Sequence, residues 1–215
     1  MDREQIRLAV EAERMGLADL LDDLSPEDWR TPSLCQGWTV REVVAHLTHA
    51  TRLSAPAAVG AMVRARFDVN RMIGDAARAR AAQFEPAELV AQLRETAGSA
   101  RRPPGTKPAD PLVDLLVHGQ DVARPLHRDR PMDPERVAVA LSHVWASSFY
   151  RTRTRFDGVR LVATDSEWAA ATGPAVSGPG GELLLLMTGR PAGLDGLGGE
   201  GLAEAAKRVG ARSSP

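Results

Sequence analysis

The stretch "LVDLLVHGQDVARPL" (residues 112–126) predicts a helix that is apolar around most of its circumference. At about 100° per residue, its leucines and valines leave one narrow polar stripe. That stripe consists of Asp114, His118 and Asp121, at positions i, i+4 and i+7. A helix with so little polar surface belongs inside a helical bundle. We therefore expect a mainly α fold with this helix in its core.

The polar stripe itself has two interpretations. It is either a solvent-exposed face, which is the usual meaning of such a pattern, or a site that the bundle encloses. The apolar surround favours enclosure, and buried carboxylates and imidazoles must then pair with other charges or bind a metal ion. Because Asp114 and His118 are one helical turn apart, they can direct two ligand atoms at one ion.

A second helix offers a third ligand. Thr39 and Glu42 form a Thr-x-x-Glu capping box, which predicts that a helix begins at residue 40. In that helix His46 flanks the apolar stripe, so it should point into the bundle or its mouth. His49 lies about 60° away on the helical wheel, at the rim or in the core. Alone, a histidine on an apolar face, such as His46, is more often a hydrogen-bonded core residue than a ligand.

Together, His46, Asp114 and His118 make a set of three nitrogen and oxygen ligands on two helices. Three protein ligands with one open position are typical of a catalytic rather than a structural divalent site. Zinc is the first choice, and the ligand types also suit nickel, iron and manganese.

The periodicity along the chain predicts two domains. Residues 1–150 are helical throughout and predict a bundle of four or more helices. Residues 151–215 predict a small α/β domain with short strands in "GVRLVATD" (158–165) and around "AVS" (175–177). That domain should also contain a buried helix at "ELLLLM" (182–187) closed by Gly189, and a final helix before a frayed end at "SSP" (213–215).

Composition narrows the function. The 215 residues carry a formal net charge of −1, which argues against binding nucleic acid or an anionic membrane. The chain has a single cysteine, Cys35, so an internal disulfide and a cysteine-only metal site are excluded. No apolar run is long enough to span a bilayer. We expect a soluble, cytoplasmic protein, either a monomer or a homodimer.

Two segments carry a resemblance to a known family. "WRTPSLCQGWTVREVVAHL" (29–47) and "DLLVHGQDVARPL" (114–126) resemble the actinobacterial mycothiol-dependent maleylpyruvate isomerases, which are DinB-like metal-binding helical bundles. The similarity runs to about residue 210, and "TGRP" (188–191) resembles the end of the small C-terminal domain of that family. The resemblance implies a DinB-like four-helix bundle followed by a small α/β domain.

The resemblance also implies roles for residues. It places a zinc ion on His46, Asp114 and His118, with a glutamate of the family replaced here by the shorter Asp114. Asp121 matches the His-x-x-Asp pattern of the family, and we interpret it as a residue that orients the ligand helix or the ligand histidine. Arg190 is the candidate catalytic arginine that grips a carboxylate, with an exposed arginine at a helix end as the alternative.

The implied chemistry is nucleophilic addition by a low-molecular-weight thiol, mycothiol in this family, to a small-molecule electrophile. Such an enzyme is an isomerase if the thiol leaves again, or an S-transferase if it stays. Two alternatives remain open from the residues: a bundle that binds a ligand or regulates without catalysis, and a metal-dependent hydrolase that activates water. Cys35 is either close to the metal or a small buried thiol, and Trp38 either lines the cleft or packs in the core.

Overall fold

In residues 1–210, which the computed structural model describes, the chain forms ten α-helices and three short strands. The frayed end expected at 213–215 lies outside the described residues. The helices are α1 (Arg3–Leu21), α2 (Val40–His49), α3 (Ala55–Arg64), α4 (Val69–Gln83), α5 (Pro86–Glu95), α6 (Asp110–Ala123), α7 (Pro134–Ala146), α8 (Thr152–Arg155), α9 (Gly180–Met187) and α10 (Leu202–Gly210). The strands are β1 (Arg160–Ala163), β2 (Ala169–Ala170) and β3 (Ala175–Gly178).

Four of the helices form the predicted bundle. α1 packs against α5 and α6, and α2 packs against the same two helices, so the four close into a ring. The residues they turn inward are almost entirely excluded from solvent, among them Leu17, Val43, Leu89 and Leu116. Helices at three- and four-residue apolar spacing associate in this way because each buries its stripe against its neighbours. The prediction of a four-helix bundle is confirmed.

The alanine- and arginine-rich region between α2 and α5 forms two helices, which resolves the expectation of one helix or two for residues 56–82. Between these two helices, Arg66 and Phe67 adopt positive φ angles of 56° and 64°, a conformation that cannot continue a right-handed helix. Asp68 then caps α4 by accepting a hydrogen bond from the Arg71 amide at 3.0 Å. α4 packs against α2, and α3 packs against α4, outside the ring.

A buried ion pair joins α1 to the end of this part of the chain. Arg130 donates to the carboxylate of Glu13 at 2.7 Å, and each side chain is only 9% exposed. The backbone oxygen of Arg130 accepts a hydrogen bond from the Gln120 side chain of α6 at 2.7 Å. Gly119 is needed beside it, because a Cβ there would collide with the guanidinium of Arg130.

The chain divides into two compact units, Asp2–Arg130 and the part from Pro131 onward. In the second unit β1 is central, antiparallel to β2 and parallel to β3. α9 is buried from Leu183 to Met187, and Gly189 ends it with a φ of 91°, as predicted. No helix in residues 1–210 is both long and apolar enough to cross a membrane.

The second unit includes α7, which the sequence had grouped with the bundle. Its apolar face, at Val137, Ala140, Leu141 and Val144, is buried, and α7 packs against α9. Gly180 of α9 lies against Val137 and Leu141. Helical periodicity identifies a buried face and not the core that the face joins. The boundary at residue 150 between a helical domain and a small α/β domain stays a prediction.

Replacing Glu13 with alanine should cost about 3–5 kcal/mol of unfolding free energy, because it leaves the buried Arg130 guanidinium without its carboxylate. Urea denaturation followed by circular dichroism measures this. Glu4→Ala is the matched control, since Glu4 pairs with Arg7 on the exposed face of the same helix and should matter little. Equal effects of the two substitutions would contradict the structural importance of the buried pair.

Candidate metal centre

The start of α2 sets the orientation of His46. The Glu42 carboxylate accepts hydrogen bonds from the Thr39 amide at 2.7 Å and from the Thr39 hydroxyl at 3.0 Å, which confirms the predicted capping box. With the helix phase fixed there, Val43 and Leu47 are buried in the bundle. His46, next to them on the wheel, is half-buried.

The polar stripe of α6 is enclosed rather than solvated. Asp121 is completely buried, and the side chain of His118 is 12% exposed. Asp114, one turn earlier, is half-buried. The interpretation of the stripe as a solvent-exposed face is therefore wrong for its last two members, because both lie within the apolar surround of the helix.

His118 and Asp121 are hydrogen-bonded to each other. The Nδ1 atom of His118 lies 2.8 Å from Oδ2 of Asp121. An ionised carboxylate only accepts hydrogen bonds, so an ionised Asp121 accepts from Nδ1–H of His118 and leaves Nε2 as the nitrogen available to a ligand. Metal-binding histidines in proteins usually have this arrangement, in which a carboxylate behind the ring fixes its tautomer and direction.

Three aromatic rings meet at this point. The centroids of the His46 and His118 rings are 5.1 Å apart, with the planes at 71°. The indole of Trp38 lies 5.4 Å from the His46 ring and stacks almost parallel to His118 at 6.3 Å. α2 and α6 therefore bring the two predicted histidine ligands together, and Trp38 forms a wall against both.

The loop before α2 is tied down around Ser33. The Ser33 hydroxyl donates to the backbone oxygen of Trp38 at 2.9 Å and accepts from the Cys35 amide at 3.1 Å. The Leu34 amide donates to the backbone oxygen of Asp121 at 3.1 Å. The last bond attaches the loop directly to α6 at the residue that orients His118.

This attachment brings Cys35 to the site. The sulfur of Cys35, a ring nitrogen of His118 and a carboxylate oxygen of Asp121 all lie within 4.8 Å of one another. Within residues 1–210 these three form a group whose donor atoms converge closely enough to hold a metal ion. Sequence reasoning had considered a position near the metal for Cys35 but preferred a small buried thiol. In the structure the residue is half-buried.

The remaining predicted residues are placed less directly. Asp114 is on α6 one turn before His118, and its role as a ligand stays a prediction. Arg190 follows α9 in the second unit, where its guanidinium donates to the backbone oxygen of Thr188 at 2.8 Å. Its catalytic role also stays a prediction. The sequence left open whether Trp38 lines the cleft or packs in the core. In the structure its indole lies beside both His46 and His118.

The family of the chain can be identified by comparison with known proteins. The model of the mycothiol maleylpyruvate isomerase N-terminal domain matches residues 10–133. The chain belongs to this family. A sequence comparison with curated proteins gives no match.

Solved structures agree on the fold. The crystal structure of mycothiol-dependent maleylpyruvate isomerase is 15% identical to this chain, with 93% of each chain covered and a TM-score of 0.63. A histidine-to-alanine mutant of mycothiol-dependent maleylpyruvate isomerase gives 15% identity, the same coverage and a TM-score of 0.62. At this identity the likeness shows that the folds are the same.

The region matched by the mycothiol maleylpyruvate isomerase family contains the candidate centre. Its candidate residues, from Cys35 to Asp121, all lie within 10–133. Arg190 lies outside the matched region.

The other histidine of α2 has a different environment. His49 is half-buried, and burial lowers the pKa of its imidazole below the ordinary value of 6.5. The positive charge of Arg80 lowers it further. Arg80 is held nearby by a hydrogen bond to the Thr48 hydroxyl at 2.8 Å. His49 is therefore a neutral histidine at pH 7.

This environment predicts a pH dependence of stability. As the pH falls below about 6.5, the unfolded chain binds a proton at His49 that the folded chain does not, so the free energy of unfolding decreases until the pH reaches the lowered, folded-state pKa. In His49→Gln this part of the decrease should disappear. Urea denaturation between pH 7 and pH 5 measures it, with His127→Gln, on an exposed loop, as the matched control. An unchanged pH profile in His49→Gln would contradict the prediction.

Proposed function

We propose that this protein is a metal-dependent enzyme that uses a low-molecular-weight thiol, mycothiol by its family, as a nucleophile toward a small electrophilic substrate. The observation that carries the proposal is the buried hydrogen bond between His118 Nδ1 and Asp121, beside the ring of His46. Such a pairing leaves Nε2 of the histidine for a ligand, as the carboxylate behind a metal-binding histidine usually does.

The donors present fit a divalent cation. Imidazole nitrogens from His46 and His118, with a carboxylate and a sulfur nearby, are ligand types that zinc accepts. We propose His46, Asp114 and His118 as the residues that hold it, with zinc as the ion and Asp121 as the residue that positions His118. A divalent ion bound there would stabilise the thiolate form of the thiol at neutral pH.

The residues of the chain have distinct tasks in this scheme. Asp121 holds the Nδ1 side of His118 by a hydrogen bond, and Trp38 packs beside both imidazoles. We propose that Arg190 is catalytic and binds a carboxylate of the substrate, because a guanidinium matches a carboxylate in a two-point contact. Asp114 has a shorter arm than the glutamate expected from the family resemblance.

The reaction itself is addition of the thiolate sulfur to an electrophilic carbon of the substrate. Rotation about the bond that has become single, followed by departure of the same thiol, gives isomerisation of a cis double bond. If a different group leaves, the product is a thioether and the enzyme is an S-transferase. We propose that this takes place in the cytoplasm, in a monomer or homodimer, with no nucleic acid or membrane partner.

The test is turnover with and without the thiol. The full-length, zinc-loaded protein should convert an electrophile such as maleylpyruvate only when mycothiol is added. Asp121→Asn should lower kcat/KM by roughly 10- to 100-fold, because the carboxylate that orients His118 is lost. His127→Ala, at an exposed position away from the centre, should leave it unchanged.

Two results would contradict this proposal. Turnover that does not need a thiol would identify a hydrolase that activates water instead. The complete absence of thiol-dependent turnover across cis-unsaturated acids and aryl halides, in protein with stoichiometric zinc, would favour a bundle that binds without catalysis.

A further inference from the structure

Hydrogen bonds hold the backbone on both sides of Cys35. Its amide and carbonyl both bond to the Ser33 hydroxyl, at 3.1 and 3.2 Å, and its carbonyl also accepts from the Trp38 amide at 3.0 Å. The neighbouring Leu34 amide is bonded to the backbone of Asp121. These bonds hold the Cys35 backbone in the loop that is attached to α6 beside His118.

The donor atoms form a triangle. Sulfur of Cys35, nitrogen of His118 and oxygen of Asp121 are mutually within 4.8 Å. Two ligands at zinc–sulfur and zinc–nitrogen distances of about 2.3 and 2.1 Å are separated by at most roughly 4.4 Å, so small side-chain movements bring this group to coordination distance.

The same three residue types also occur in Cys–His–Asp nucleophile triads. The arrangement of the three atoms argues against that interpretation here. In a triad the acid and the nucleophile bond to opposite nitrogens of the imidazole, so they are held apart by the ring. Here the sulfur of Cys35 lies within 4.8 Å of a carboxylate oxygen of Asp121 as well as of a ring nitrogen of His118. The sulfur therefore does not occupy the position of a triad nucleophile, and it is close enough to a ring nitrogen of His118 to share an ion with it.

We propose that Cys35 is a sulfur ligand of the ion that His118 binds, so that this protein supplies a thiolate of its own to the metal centre. The inference rests on the metal site of the proposed function and adds to it a ligand beyond His46, Asp114 and His118. A mixed sulfur and nitrogen donor set favours zinc, cobalt and cadmium over magnesium and manganese. With four protein ligands on the ion, the cosubstrate thiol would enter as a fifth ligand, an expansion that catalytic zinc sites allow.

Cobalt binding tests this ligand directly. Metal-free full-length protein is titrated with Co²⁺ in the absence of any added thiol, and the near-ultraviolet absorption from sulfur-to-cobalt charge transfer is recorded. Because Cys35 is the single cysteine of the chain, that absorption reports on one sulfur atom. It should grow to saturation at one ion per chain, and Cys35→Ser should lose it while still binding cobalt.

Alkylation provides a second measurement that needs no substitution of Cys35. Bound zinc should slow the reaction of the thiol with iodoacetamide at least about tenfold, because a coordinated thiolate is a weaker nucleophile than a free one. His118→Ala should abolish this protection, and His127→Ala should keep it.

The outcomes are separable. Stoichiometric cobalt with no charge-transfer absorption, or with absorption that persists in Cys35→Ser, overturns the role of Cys35 and leaves the metal site of the proposed function standing. No cobalt binding at all overturns both.

Discussion

The hydrogen bond between His118 and Asp121 is the interaction on which the rest of the candidate centre depends. A fully buried carboxylate is costly unless it is paired, and here its partner is an imidazole three residues earlier on the same helix. The hydrogen bond offsets part of the cost of burying both groups in the bundle. Their pairing also decides which imidazole nitrogen remains for a ligand.

Two further constraints bring other groups to that imidazole. The Thr39–Glu42 capping box begins α2 at a defined residue, and so places His46 opposite His118. The hydrogen bond from Leu34 to the backbone of Asp121 fixes the preceding loop on α6, and so places Cys35 and Trp38. The centre is therefore positioned by the residue at which α2 begins and by the hydrogen bond that attaches the preceding loop to α6. Both features lie within the unit Asp2–Arg130.

The helical part of this arrangement could be predicted from the sequence, since it depends on local rules. Capping residues and apolar spacing identified α2 and α6, and the interruption of the apolar surface identified Asp114, His118 and Asp121 as a set. The sequence left open whether Cys35 lies near His118, because its position depends on a backbone hydrogen bond between Leu34 and Asp121, which are far apart in the chain. No side-chain pattern reports such a bond. The packing of α7 against α9 could not be predicted for a related reason, since the periodicity of a helix shows that one face is buried but not which element covers it.

Metal analysis of the purified full-length protein is the most direct test of the claim that His118 and Asp121 build a metal centre. The account predicts about one divalent ion per chain, lost in His118→Ala, weakened by roughly 10- to 100-fold in affinity in Asp121→Asn, and unchanged in His127→Ala. Stoichiometric metal that neither His118→Ala nor His46→Ala reduces would contradict it.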